Sequence, residues 1–155
     1  MNTNELRWGA DLRLLDDLHQ QSERTRGDDL TTTRRRETGQ IDLDTLSTLD
    51  NLQQALLLRF MTHQGELTQL GHPSYGSRLH ELIGELNTES TRNRAKMYTL
   101  IALADEPRVA QVLSVDVVTD TADRGRINIT ARLLPLHSDT PVNLVFPFFL
   151  EGGAA

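Results

Sequence analysis

The stretch LIALADEPRVAQVLSVDV, residues 100–117, decides how this chain folds, because the spacing of its apolar residues changes within it. Just before and into it, Met97, Leu100, Ile101 and Ala104 fall at i, i+3, i+4 and i+7, a helical stripe. Pro107 cannot continue a helix, and it biases Glu106 towards an extended backbone. From Val109 the period becomes two: Leu113, Val115 and Val117 are expected on one face, Ser114 and Asp116 on the other. A Glu and an Arg therefore stand on a sharp corner between two elements that both need a core. Such a pair either caps the helix locally, where an exposed ion pair contributes about 0–1 kcal/mol, or faces a neighbouring subunit.

Beyond the corner, the last third alternates cleanly. Strands are expected over 109–119, 126–134 and 142–150, with turn-forming loops at 120–125 and 137–141. Ile127, Ile129, Ala131 and Leu133 should face inward, as should Val142, Leu144, Phe146, Phe148 and Leu150. Val145 and Phe149 point to the opposite face. Pro147 lacks an N–H, so the last strand should be an edge or carry a bulge. An apolar edge is usually covered by something.

Towards the N-terminus the helical period returns. One helix should open near Thr88-Glu89-Ser90 and end at Ala104 or Asp105. A second, about 77–86, carries Leu79, Leu82, Ile83 and Leu86, with Ser74 or Ser77 as N-cap. A third runs from about 47 or 48 to His63, with Leu49, Leu52, Leu56 and Phe60 in one stripe and Gly65 placed for a C-terminal cap. Its second half is apolar almost all round, as in a helix central to a core or shared with another subunit. Ahead of it, 6–14 alternate as a short strand or extended arm, with Trp8 as its anchor. Residues 16–40 are polar and charged and cannot offset their ordering entropy, so a flexible loop or a segment ordered by a partner is expected. The reading is thus α+β, three helices packed on a small antiparallel C-terminal sheet of about three strands, with an N-terminal extended arm. Its divisions are 1–42 (arm and flexible polar segment), 43–151 (the folded domain) and 152–155 (a disordered tail).

Composition narrows the function. A chain of 155 residues should bury about two-thirds of its unfolded surface, enough for one core. A net charge of -6 argues against nucleic acid as a partner; the one basic run, Arg34-Arg35-Arg36, reads as solvated or partner-facing. With no cysteine there is no disulfide or thiolate site. No signal peptide or membrane span is expected, so no direct membrane insertion, and the sequon at Asn128 reads as accidental. Synthesis in the cytoplasm fits these features. Catalytic motifs are sparse. Glu66, Glu81, Glu85 and Glu106 are available as paired carboxylates, but none has a context that raises its pKa, and seven aromatic residues supply a sugar groove poorly. His63, His72 and His80 match no metal-ligand spacing, no nucleophile elbow occurs, and 71–76 lacks the Lys-Ser or Lys-Thr of a phosphate loop. No catalytic, cofactor-binding or metal residue is assigned.

Five short motifs occur in order: Asp50-Asn51-Leu52-Gln53-Gln54-Ala55-Leu56, Arg59-Phe60-Met61-Thr62, Gly65-Glu66-Leu67, His72-Pro73-Ser74-Tyr75-Gly76-Ser77-Arg78-Leu79 and Glu106-Pro107-Arg108-Val109. In that order the chain resembles the baseplate wedge family named after gene product twenty-five and protein W, once called lysozyme-like, over about 43–150. The resemblance implies a structural, non-enzymatic subunit of a contractile phage tail, an extracellular injection particle or a secretion baseplate. It implies wedge proteins, the sheath subunit and hub or spike proteins as partners, in the six-fold arrangement of a baseplate. It also implies that Glu106, Pro107 and Arg108 contact other wedge components. The edge strand with Val145, Pro147 and Phe149 would template the first sheath ring by β-augmentation. The alternative implied by the older family label is a peptidoglycan-cleaving tail component.

Overall fold

The computed structural model describes residues 8–14 and 30–150. The expectations for the polar segment up to residue 29, for the first strand residues before Trp8 and for the tail 152–155 lie outside the described residues. Two compact units form, Met1–Gln54 and Ala55–Ala155.

In the first unit, β1 (Ala10–Leu12) pairs antiparallel with β4 (Thr45–Ser47), and β2 (Thr32–Arg34) pairs antiparallel with β3 (Ile41–Leu43). Of the stretch 6–14, read as a short strand or an extended arm, the described part is the short strand Ala10–Leu12, preceded by a buried Trp8. It is held by backbone-like bonds from side chains of α1 (Thr48–Met61). Asn51 Nδ2 donates to the Trp8 carbonyl at 2.8 Å. Gln54 donates Nε2 to the Leu12 carbonyl and accepts the Leu14 N–H, each at 2.8 Å. Both amides are buried, so the Asn-x-x-Gln spacing imitates a strand edge on a helix face.

The second unit holds α2 (Glu89–Ala104) and a three-stranded antiparallel sheet in the order β5-β6-β7: β5 Val109–Thr119, β6 Arg126–Pro135, β7 Val142–Phe149. Thr88 caps α2 by accepting the Thr91 N–H at 3.2 Å. The inward residues of β6 and β7 are those the alternation names, and Phe60 meets Phe146 with ring centroids 5.6 Å apart. Each such apolar side chain contributes about 1.5–3 kcal/mol by leaving water. Among the described residues no helix is long and apolar enough to cross a membrane.

Three expectations need correction. The fold is α+β, but among the described residues it has two α-helices and three sheets, not three helices on one sheet. The expected helix over 77–86 is a 3-10 turn at Leu79–Leu82: Ile83 is extended and Gly84 takes φ 89°, so the turn cannot propagate. Leu79 and Leu82 are buried, whereas Ile83 and Leu86 are exposed. The two small sheets arise from the N-terminal third, where backbone pairing rather than apolar burial orders 32–34 against 41–43. An Arg35–Asp42 ion pair and the turn at Gly39 support that hairpin.

The second correction concerns β5, whose register against β6 shifts between Val109 and Gln111 and again between Val112 and Ser114. These irregularities break the alternation, leaving Val115 buried but Leu113 exposed. The third concerns α2. Its buried face is Thr91, Ala95, Tyr98, Thr99, Ala102 and Leu103, while the stripe read as core, Met97, Leu100 and Ile101, is 46%, 38% and 44% exposed.

Candidate functional site

The corner after α2 is built by tight backbone bonds. The Glu106 N–H donates to Leu103 O at 3.2 Å, and the Val109 N–H donates to Glu106 O at 3.0 Å, with Pro107 between them. This turns the Glu106 side chain inward until only 3% of it remains exposed. Glu106 does pair locally with Arg108, one of the two alternatives read from the sequence, but within a buried cluster rather than as an exposed pair. Glu106 Oε2 accepts from Arg59 Nη2 at 3.0 Å, and Oε1 accepts from Arg108 Nε at 2.6 Å. The Arg108 N–H adds a bond to the same oxygen at 3.3 Å.

Sequence reading missed Arg59 because it lies 47 residues from Glu106. Its signal was a lone cation in the apolar half of α1. Arg59 is itself buried, and its guanidinium lies 4.4 Å from the centre of the Tyr75 ring. Arg59 Nε has no hydrogen-bond partner. The motif around Tyr75 explains how that ring is placed. Ser77 donates Oγ to Phe60 O at 2.7 Å and its N–H to Thr62 O at 2.9 Å, closing the C-terminus of α1. Gly76, at φ 105°, passes so close that a Cβ there would stand 2.7 Å from Thr62 O. The expected cap at Gly65 lies instead in the following turn, with φ 87°.

Electrostatics favour an ionised Glu106. Burial pushes its carboxyl up, but Arg108, and then Arg59, more than offset that and hold it below the usual carboxylate range. Burial raises the Tyr75 phenol, against the lowering effect of Arg59. Arg108 is part-exposed, Pro107 is exposed, and Glu106 itself is enclosed. The cluster thus holds the Arg108 guanidinium by its Nε at the surface of a rigid turn.

The other candidates are dispersed. Glu81 is held by Arg78 at 2.7 Å and accepts the Tyr98 hydroxyl at 3.0 Å, which keeps its carboxyl low; Glu85 pairs with Arg94. Glu66 accepts the His63 N–H at 3.3 Å. His63 and His80 stack with ring centres 4.0 Å apart, and His72 is not with them; among the described residues no group of three possible ligands could hold a metal. On β7, Val145 is 51% exposed, Pro147 is buried, and Phe149 is half-buried with the Arg126 guanidinium 5.8 Å from its ring centre. Among the described residues β7 pairs on one side only, with β6, in an unbroken register through Pro147.

No family model matches the chain, and no curated protein matches it. Among solved structures, it is similar to a Geobacter sulfurreducens protein provisionally named a tail lysozyme. The TM-score is 0.59 at 26% identity, over 70% of this chain and 97% of that one. The likeness is one of fold, over most of the length of that protein.

Proposed function

We propose that this chain is a structural wedge subunit of a contractile tail or injection particle, which joins other baseplate wedge proteins and starts the sheath by accepting a β-strand. The support is β7: an edge strand of eight residues, regular throughout, with Val145 exposed and an apolar underside locked into the core. A regular edge offers unpaired backbone groups to an incoming strand. The corner adds a second contact in this reading. Pro107 and Arg108 meet a neighbouring wedge protein, and Glu106 serves by fixing Arg108. Val145→Lys tests the reading: the protein should fold normally, yet particles carrying it should show tails without sheath by electron microscopy. Sheaths of normal length on those particles would refute strand addition.

The name of the similar Geobacter protein favours a second reading, a peptidoglycan-cleaving tail component. A general acid needs a carboxyl whose pKa is raised, and Glu106 and Glu81 are both shifted the other way. A zymogram of the purified protein decides between the two; clearing that vanishes in Glu66→Gln would replace the structural proposal.

A further inference from the structure

The corner cluster holds more positive charge than it neutralises. Glu106 is the single carboxylate shared by two guanidiniums, Oε2 bonded to Arg59 and Oε1 to Arg108. Among the described residues no other carboxylate pairs with either; Asp105, next along the chain, is exposed and pairs with neither. One positive charge is therefore left over, beside an Arg59 that is 5% exposed. Arg108 also leaves one edge of its fork unused. Its Nε is taken by Glu106, whose other oxygen is committed to Arg59, and neither Nη nitrogen has a partner among the described residues. Neither is enclosed, so two donors pinned through Nε stand ready at the surface of the turn. The Tyr75 hydroxyl is a third donor of this kind, half-buried and bonded to no described group. Its ring lies on Arg59, and the charges that act on it are those of Arg59, Glu106 and Arg108.

The geometry points to a docking site for an acidic side chain of a neighbouring protein, its carboxylate taken end-on by Nη1 and Nη2 of Arg108, with the Tyr75 hydroxyl as a further donor. The inference rests on the reading of the corner as a contact between wedge proteins and names the chemistry of that contact. A carboxylate presents two oxygens to the two nitrogens of a guanidinium edge, and its single charge cancels the surplus. A phosphate dianion would overshoot that surplus, and an apolar partner would cover guanidinium nitrogens and leave them unbonded. Because Glu106 already fixes the guanidinium, little side-chain freedom is lost when the carboxylate arrives. Glu106 is thus a positioning residue, and Arg59 supplies the charge that keeps it ionised inside the fold.

The test is made on assembled tails of the parent and its variants, with this chain counted by mass spectrometry against the other tail proteins. Arg108→Gln should lower its amount in tails at least about tenfold. Tyr75→Phe keeps the ring on Arg59 and should leave the melting curve unchanged, yet lower the amount several-fold. In Arg108→Lys tails, carbodiimide should join the new amine to an Asp or Glu of another tail protein. Lys96 is the only lysine of the parent, so that product is readily assigned. Should Arg108→Lys fail to enter tails, Arg108→Glu should be restored by a Lys or Arg replacing an Asp or Glu of another tail protein. Parent-like amounts of Arg108→Gln or Tyr75→Phe would overturn the inference. So would an amine that reaches no carboxylate of another protein, or an Arg108→Glu that no such replacement restores. In all of these the parent chain is still found in tails and the wedge reading stands; its absence from tails would end both.

Discussion

Strands β6 and β7 and helix α2 lie in one compact unit and are similarly rich in apolar residues, yet those residues end in opposite places. On the strands, Ile127, Ile129, Ala131 and Leu133, with Val142, Leu144, Phe146 and Phe148, all lie inside. On α2, Met97, Leu100 and Ile101 lie outside, and smaller residues such as Ala95, Thr99 and Ala102 make the inner contact. The apolar face of the strands is buried by the chain itself. The helix has one side occupied and one side unoccupied by this unit. Apolar residues at helical spacing therefore do not by themselves show which face of an element the chain buries.

The contrast can be broken by substitution, beginning where the largest effect is expected. Phe146→Ala removes a ring packed on Phe60 and Phe148 and should cost about 3–5 kcal/mol in urea unfolding. Glu106→Ala leaves Arg59 buried without a counter-charge and should cost a comparable 3 kcal/mol or more, at about the lower end of that range. A loss near zero would mean that the cluster is open to water. Glu106 also makes a pH prediction. Its carboxyl titrates lower in the folded chain than in the unfolded one, so its stabilisation is complete above the unfolded value of 4.5 and is lost as pH falls through the folded value. Unfolding midpoints should therefore drop below about pH 4.5, with a smaller slope in Glu106→Gln. Leu100→Glu and Val145→Lys should stay within about 0.5 kcal/mol of the parent, because each side chain is already exposed. A loss of several times that at Leu100 would return the stripe to the interior and end the contrast.

What could be read from the sequence followed from what leaves a local trace. Alternation identified the sheet because a period of two allows one inward face per strand, and Glu89, favoured by the helix dipole, marked the start of α2 near Thr88-Glu89-Ser90. The face of α2 was misread because both its stripes satisfy the helical period, and the larger residues drew the choice. The expected helix over 77–86 failed for a similar reason: Leu79 and Leu82 are as well placed in a single 3-10 turn, and the contrary sign was Gly84. The β2–β3 hairpin was invisible because main-chain bonds, not apolar periodicity, make it. At the corner, Glu106 and Arg108 were legible as neighbours in sequence. Their burial was not, since it depends on Arg59 from another helix.

The double slip in the register of β5 bears on the other side of the sheet. An outer strand interrupted near Ala110 and again near Leu113 presents a crooked line of donors and acceptors, a poor template for a straight neighbour. Among the described residues the sheet is consequently lopsided, with a regular outer strand at β7 and an irregular one at β5. On the strand-addition proposal, a piece built that way begins a stack at β7 rather than being spliced into its middle.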